Sequence, residues 1–346
     1  MQTQHTGRAG ADQVPTGTGA ADPHCLVAAL DIGGTKIAGA LADPTGTITA
    51  RAQRPTPAAE SGESVLAAVG EVLAELAAAP GWERVRSVGI ASAGPVDAVA
   101  GSVSPVNIPG WRDFPLVARV RQHPAVRGLP VTLLGDGVAM TAAEHWRGAA
   151  RGFDSALGMV VSTGVGGGLV LGGEVHLGTT GNAGHIGHIS VDMDGDPCPC
   201  GSRGCVELTA SGTAIARRAR AAGWRPTGDD ASAAAVARAA RAGDPVALSV
   251  FERAARALAA GIAATATLVE IDVVVIGGGV ARSGELLLGL VRAALGEYAT
   301  LPFARGIEVR PAELGDDAGL VGAAAAAVDL LGLERAAAHA TGGAAH

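Results

Sequence analysis

Three cysteines and one histidine lie close together in the second half of the chain, at His188, Cys198, Cys200 and Cys205. Three thiolates and one imidazole form the donor set of a closed, tetrahedral zinc site, which is structural and does not activate water. Prolines and glycines between these residues supply the tight turns that a zinc knuckle over 188–205 needs. The alternative is a group of buried, reduced cysteines, for which neither the spacing nor the turn residues would have a reason. We therefore predict a structural Zn²⁺ that rigidifies the segment presenting His185 and Glu207, with Cys25 outside it as an inert thiol at a strand edge.

Three glycine-rich turns each follow an apolar run, and glycine lets backbone N–H groups approach phosphate oxygens closely. Their candidate nucleotide-binding residues are Asp31, Gly33, Gly34, Thr35 and Lys36 in the first turn, Ser162, Thr163, Gly164 and Gly166 in the second, and Gly277, Gly278 and Gly279 in the third. None matches the P-loop or the dinucleotide fingerprint, and each turn alone is more often only a tight turn. Together they predict a nucleotide between two lobes, with Asp31 holding Mg²⁺ through water and Lys36 offsetting phosphate charge.

Asp136 follows another apolar run and has a glycine on either side. An acid at the carboxyl end of a strand in an α/β fold faces the crevice in which ligands bind. The alternative, an N-cap for a helix over 138–147, is equally consistent with the sequence. Asn107 lies in a loop and is either a turn residue or a ligand contact. Glu144 and His145 fall on the predicted helix, where we expect surface groups.

The elements that must position these residues repeat along the chain. Each half begins with closely spaced strands. We predict that they form hairpins, because a βαβ crossover needs a dozen or more connecting residues. The predicted strands cover 26–31, 36–41, 47–50, 88–91, 131–134, 157–161, 169–171 and 273–276. Predicted helices cover 62–79, fill 212–270 and form the closing segment 318–332. The repetition indicates two related α/β halves with a cleft between them.

Composition limits the class of protein. The 346 residues correspond to roughly two domains, and 26 basic against 33 acidic residues give a net charge of −7, which argues against nucleic acid as a partner. The longest stretch without charged residues, 155–173, is too rich in glycine to span a membrane. Residues 1–24 contain no apolar block, so we expect a flexible tail there and not a signal peptide. Four cysteines do not form a secreted disulfide framework, and we expect a cytoplasmic protein without a membrane partner.

Four segments, 31–36, 162–168, 181–188 and 198–207, resemble the signature blocks of the ROK family of repressors, open reading frames and sugar kinases. The similarity covers about residues 26–332, and the cysteine block is its most specific part. The resemblance implies an α/β, actin-like (hexokinase-type) ATPase fold in which two lobes close over sugar and ATP. The implied segments are an N-terminal lobe over 25–135, a C-terminal lobe over 136–316, a helix over 317–334 that packs back on the N-terminal lobe, and tails over 1–24 and 335–346.

The resemblance also implies an activity, the transfer of phosphate from ATP with Mg²⁺ to the 6-hydroxyl of a hexose. Asp136 would accept the hydroxyl proton while that oxygen attacks the γ-phosphorus. The other residues implied to bind the sugar are Ser92, Gly94, Asn107, His185, His188 and Glu207. The first two glycine turns match the phosphate loops and the third matches the adenosine side. Family members are homodimers or homotetramers, which we expect here too.

Two positions depart from the family pattern. Gly135 stands where the family usually has Asn, and His185 where it usually has Glu. Both family residues contact the sugar around its 3-hydroxyl, so we expect weaker binding of plain glucose. His185 is similar to the histidine of bacterial N-acetylmannosamine kinases. We predict a kinase for a glucose-type sugar or an amino hexose of the N-acetylmannosamine or kanosamine (3-amino-3-deoxyglucose) type.

Two other classes fit the sequence less well. A DNA-binding repressor of this family would carry a winged helix before the first glycine turn, and no helical pattern precedes Asp31. A non-catalytic sugar sensor with the same fold is the alternative function, but the retained Asp136 and the phosphate turns argue against it.

Overall fold

Two five-stranded sheets with the same strand order organise the protein. The computed structural model describes residues 24–332, so the predicted tails lie outside the described residues except for His24. In each sheet, three antiparallel strands are followed by two parallel ones. The predicted pair of related α/β halves is therefore confirmed.

The first sheet places the ends of three parallel strands side by side. It contains β1 (Leu26–Ile32), β2 (Lys36–Ala42), β3 (Ile48–Pro55), β4 (Val85–Ser92) and β7 (Val131–Gly135), in the order β3-β2-β1-β4-β7. Ile32 pairs with Ser92, and Ser92 pairs with Gly135, so the carboxyl ends of β1, β4 and β7 form one edge. Helix α1 (Gly62–Ala77), close to the predicted 62–79, buries its apolar stripe against this sheet.

A small excursion follows β4. It contains β5 (Val96–Asp97), β6 (Ser102–Val103), which pairs with β5, and α2 (Leu116–Arg121). The fully buried Trp111 stacks on Phe114 with ring centroids 4.8 Å apart. Its indole N–H donates to the Gly62 carbonyl at 3.0 Å, which ties the excursion to the start of α1. The sequence analysis did not predict β5 and β6, because a strand of two residues is too short to show an alternating pattern.

The second sheet repeats the first and carries most of the helices. It contains β8 (Ala156–Val161), β9 (Val165–Leu171), β10 (Glu174–His176), β11 (Val273–Gly277) and β12 (Glu308–Pro311), in the order β10-β9-β8-β11-β12. The helices are α3 (Asp136–Arg147), α4 (Glu207–Ala210), α5 (Gly212–Ala221), α6 (Ala233–Arg241), α7 (Pro245–Val269) and α8 (Glu285–Tyr298). One-turn 3₁₀ helices lie at Trp82–Arg84, Ile186–His188, Ala281–Ser283, Pro302–Ala304 and Gly315–Asp317. The sequence did not predict α8, β10 or β12.

The last helix, α9 (Ala318–Leu330), packs on the first sheet and on α3. The Ser87 hydroxyl in β4 donates to the Ala327 carbonyl at 2.8 Å. A Cβ on Gly89 would overlap the Ala323 carbonyl, and one on Gly322 would overlap the Ala139 backbone. Small residues at these positions therefore let α9 lie directly against a strand and a helix.

No helix within residues 24–332 combines the length and apolar character that crossing a membrane requires.

Candidate active site

Two acids meet at the edge formed by the parallel strands of the first sheet. Asp31 lies one residue before the end of β1, and Asp136 immediately follows β7. The charge of Asp136 contributes to the raised pKa of Asp31, which shows that the two carboxylates are close enough to interact. The strand pairing thus brings together two residues that are far apart in sequence.

Asp136 is the first residue of α3 and does not cap it. The N-cap position is Gly135, so the capping alternative is wrong. The Asp136 carboxylate accepts a hydrogen bond from its neighbour's amide, Gly137 N–H, at 2.8 Å. The carboxylate reaches solvent, but protein atoms enclose its other sides, and this desolvation raises its pKa above the usual value. His185 lies near enough to oppose the rise.

The Asp31 carboxyl group is also perturbed. Burial raises its pKa to about 6, Lys36 opposes the rise, and Asp136 adds to it. A Cβ on Gly319, near the start of α9, would overlap the Asp31 carboxylate, so the two are in close contact. Asp31 is therefore held between the first glycine turn and α9.

The first glycine turn is a tight connection between β1 and β2. Gly33 N–H donates to the Lys36 carbonyl at 2.9 Å, and the Thr56 hydroxyl donates to the Gly33 carbonyl at 2.7 Å. The Asn107 side chain lies against Gly34, where an added Cβ would be 2.6 Å from its Nδ2 atom. The structure thus places Asn107 beside the first turn.

The second and third glycine turns are neighbours at the edge of the second sheet. Val280 N–H donates to the Val161 carbonyl at 2.9 Å, and Gly279 lies against the Ser162 hydroxyl. Gly166 lies in β9 and Gly277 ends β11, so the second turn itself comprises only 162–164. Gly278 has a φ of +92°, which favours glycine at this sharp bend.

A cavity of about 510 Å³ opens between these two turns and the helices beyond them. Its lining includes Ser162, Thr163, Gly212, Thr213, Arg220, Ser232 and Gly279. The Thr213 hydroxyl donates to the Thr163 carbonyl at 3.0 Å and so fixes the turn against α5. The sequence analysis did not predict three of these lining residues, Thr213, Arg220 and Ser232. Polar residues on amphipathic helices give no sign in the sequence that they line a cavity.

The Glu207 side chain contacts the second glycine turn. Its carboxylate accepts a hydrogen bond from Val165 N–H at 2.8 Å, and a Cβ on Gly164 would lie 2.6 Å from its Oε2 atom. Glu207 begins α4, two residues after Cys205. The cysteine cluster and the second glycine turn are thus joined through this side chain.

The predicted zinc residues do come together. The donor atoms of His188, Cys198, Cys200 and Cys205 lie within 4.8 Å of one another. The sulfurs of Cys200 and Cys205 are 3.7 Å apart, and a tetrahedral zinc with ordinary Zn–S bonds separates two sulfurs by about 3.8 Å. Burial and the two neighbouring thiols raise the pKa of Cys205 to about 12, so a cation is needed to hold all three as thiolates. The cluster is compatible with structural zinc.

His188 faces the cluster with Nδ1, which lies 3.9 Å from the Cys198 sulfur. Its Nε2 is therefore on the opposite edge of the ring. The His185 ring is nearly parallel to it, with centroids 6.1 Å apart. The two histidine side chains thus lie side by side, next to the cysteine cluster.

Ser92 is the last residue of β4, and Gly94 lies in the turn that follows. The Ser92 hydroxyl is fully buried and donates to the Ala93 carbonyl at 3.1 Å. Gly94 has open space around its Cα, with no atom closer than 3.7 Å to an added Cβ.

The expectation that Glu144 is a surface group is wrong. Its side chain is fully buried and accepts hydrogen bonds from Ala149 N–H at 2.9 Å, Glu313 N–H at 3.0 Å and Leu314 N–H at 2.9 Å. A polar residue on a helix looks like a surface group in a sequence, and only the loop packed against it reveals its burial. His145 is half-buried, with Nε2 3.1 Å from the Phe153 carbonyl oxygen.

Comparison with known proteins identifies the class to which this arrangement belongs. The curated N-acetylmannosamine kinase of Yersinia pseudotuberculosis serotype O:1b is 38% identical over 296 residues, which cover 86% of this chain and 96% of the relative. The glucokinase of Thermotoga maritima is 33% identical over 323 residues, covering 90% and 99%. A crystal structure of a ROK family glucokinase from Streptomyces griseus in complex with glucose and AMPPNP has a TM-score of 0.73 and 35% identity, covering 88% and 99%.

The solved glucokinase structure has the actin-like ATPase fold, so the predicted fold class of this chain is confirmed. The model of the ROK family matches residues 27–329. The chain belongs to the ROK family.

The raised pKa of Asp31 predicts a stability cost at neutral pH. The folded protein holds this proton more tightly than the unfolded chain, so stability falls as the pH rises from 3.8 to about 6. We expect Asp31→Asn to raise the Tm of the ligand-free protein by a few degrees above pH 6, and the gain to vanish toward pH 4. Thermal denaturation across this range measures it. The exposed Asp329→Asn variant should show no such trend, and a pH-independent gain in Asp31→Asn would contradict the prediction.

Proposed function

We propose that this protein transfers the γ-phosphoryl group of ATP to the 6-hydroxyl of a hexose. The observation that carries the proposal is the position of Asp136, a desolvated carboxylate at a strand end beside Asp31. The relatives named as N-acetylmannosamine kinase and glucokinase support a sugar kinase.

Asp136 is the general base in this proposal. It accepts the proton of the 6-hydroxyl while that oxygen forms a bond to the γ-phosphorus and the bond to the β,γ-bridging oxygen breaks, releasing ADP. A pKa raised toward the operating pH makes a carboxylate a better proton acceptor. The remaining catalysis is positioning and charge stabilisation by the two lobes.

The nucleotide lies between the glycine turns. The first turn, with Gly33, Gly34, Thr35 and Lys36, and the second, with Ser162, Thr163 and Gly164, face the phosphates. The cavity beside Gly279 takes the adenosine, with Arg220 and Thr213 in its lining. Mg²⁺ neutralises phosphate charge in such transfers, and Asp31 would hold it through water.

The sugar side comprises Asn107, His185, His188 and Glu207, with Ser92 at the end of β4 and Gly94 in the turn that follows. We propose an amino or acylamino hexose, because Gly135 leaves room where the family usually has Asn. A Cβ there would approach only Val96, at 3.9 Å.

The Cys/His cluster is proposed to hold Zn²⁺ in a structural role. It fixes His188, which presents Nε2 to the sugar, and it anchors the segment that leads into Glu207. A homodimer or homotetramer, and a cytoplasmic location, stay predictions.

A panel of sugars tests the activity. Coupled ADP release is measured with glucose, mannose, N-acetylmannosamine and 3-amino-3-deoxyglucose. We expect one substituted hexose to exceed glucose in kcat/KM by about tenfold or more. Gly135→Asn should shift this ratio toward glucose, whereas Gly296→Asn, on the exposed face of α8 with no atom near an added Cβ, should not.

A wild-type preference for glucose would remove the amino-sugar proposal and leave a glucokinase. Sugar binding without any ADP release would instead support the non-catalytic sensor.

Replacement of the base tests the mechanism. Asp136→Asn should lower kcat by about 10²–10⁴-fold while calorimetry shows hexose affinity within a few-fold of wild type. Because desolvation raises the pKa of Asp136, wild-type kcat/KM should begin to fall with decreasing pH above the usual aspartate range. The exposed Asp154→Asn variant is the control. Full turnover in Asp136→Asn would exclude this residue as the base.

Metal analysis tests the zinc site. Purified protein should contain one Zn²⁺ per chain, and Cys205→Ser should lose it. The sugar KM should then rise by about 10–100-fold, because His188 and Glu207 lose their support. Cys25→Ala, the control cysteine outside the cluster, should retain the metal. Metal-free wild-type protein with full activity would contradict this role.

A further inference from the structure

A loop that follows β10 of the second sheet crosses to the excursion between β4 and β7 of the first sheet. We call it the sugar-side strap and define it as residues 177–185, between β10 and the 3₁₀ helix Ile186–His188. The Asn182 side chain receives a hydrogen bond from Val96 N–H at 3.3 Å and donates Nδ2–H to the Val96 carbonyl at 2.6 Å. One amide thus satisfies both backbone groups of one residue, as a neighbouring strand would.

A second bond reinforces this crossing. Ala98 N–H donates to the Thr180 carbonyl at 2.9 Å, and Asn182 Nδ2 lies 3.0 Å from the Thr180 hydroxyl oxygen. Gly181 lies between these residues with a φ of +90°, and a Cβ there would be 2.8 Å from the Ala98 Cβ atom. The strap therefore fits closely against β5 and the residue that follows it.

The joined segments are those that flank the proposed sugar site. The strap ends in His185, whose charge influences Asp136. Val96 follows Gly94 by two residues, and its Cγ2 atom would lie 3.9 Å from a Cβ on Gly135 and 3.5 Å from one on Gly181. Val96 thus stands between the two glycines, beside the space that Gly135 leaves open.

We infer that Asn182 is a positioning residue that closes the sugar side of the cleft. Its bonds to Val96 hold the His185 loop against the Gly94 turn, so the sugar meets a preformed wall. This inference rests on the proposed sugar kinase activity. Separation of the two sheets on this side must break the Asn182 bonds, and their loss should weaken sugar binding while nucleotide binding stays the same.

Two variants test the strap. Asn182→Ala removes both bonds, and Asn182→Asp keeps the volume and the acceptor but loses the donor to the Val96 carbonyl. Gln53→Ala, which removes an exposed amide on β3, is the control. For each protein, the Kd of the preferred hexose and of AMPPNP is measured by calorimetry, and the KM and kcat of active variants by ADP release.

We expect both Asn182 variants to raise the hexose Kd and KM by about tenfold while the AMPPNP Kd stays within twofold. A merely structural role would lower the Tm without this split. A hexose Kd within twofold of wild type, or an equal loss of AMPPNP affinity, would overturn the inference. If Asn182→Ala does not fold, Asn182→Asp decides.

The experiments distinguish a failure of the kinase proposal from a failure of the inference about the strap. A wild-type protein that binds hexose without phosphorylating it would end the kinase proposal and leave the binding test of the strap in force. A wild-type protein that binds no hexose would overturn both.

Discussion

The buried carboxylate of Glu144 joins α3 to the loop that leads from β12 into α9. It has no cationic partner among the described residues and is satisfied by backbone N–H groups of Ala149, Glu313 and Leu314. A buried amide without a partner costs about 1–3 kcal/mol, so the carboxylate and the loop stabilise each other. Because α3 begins at Asp136 and the loop leads into α9, this contact fixes one end of the helix that carries the proposed base.

The loop that Glu144 holds leads into α9, and α9 contacts Asp31, the other acid of the site. Gly319, near the start of α9, packs on the Asp31 carboxylate, so the loop held by Glu144 also defines the surroundings of Asp31. Burial of Asp31 close to Asp136 is unfavourable for folding at neutral pH, which the raised pKa values express. Such a cost is typical of sites where carboxylates are held ready for a cation or a proton.

The proposed sugar site combines residues from both sheets. His188 belongs to the cysteine cluster and Glu207 follows Cys205 by two residues, whereas the turn after β4 and Asn107 belong to the first sheet. Gly135 and His185, the two departures from the family pattern, lie on opposite sides of this boundary, and both are near Asp136 or Val96. The bonds of Asn182 to Val96 join these sides, so the proposed sugar specificity and the proposed closure involve neighbouring residues.

The sequence by itself determined the local features of this protein. The cysteine cluster, the glycine turns, the hairpin strands and the acid after β7 are visible because each depends on residue types at short spacing. The tertiary structure decided what depends on distant partners. Glu144 is buried by amides up to 170 positions away, and Asn182 is positioned by Val96, 86 positions away. Periodicity within one helix or loop carries no information about a partner supplied by another element, so these contacts became visible only in the folded chain.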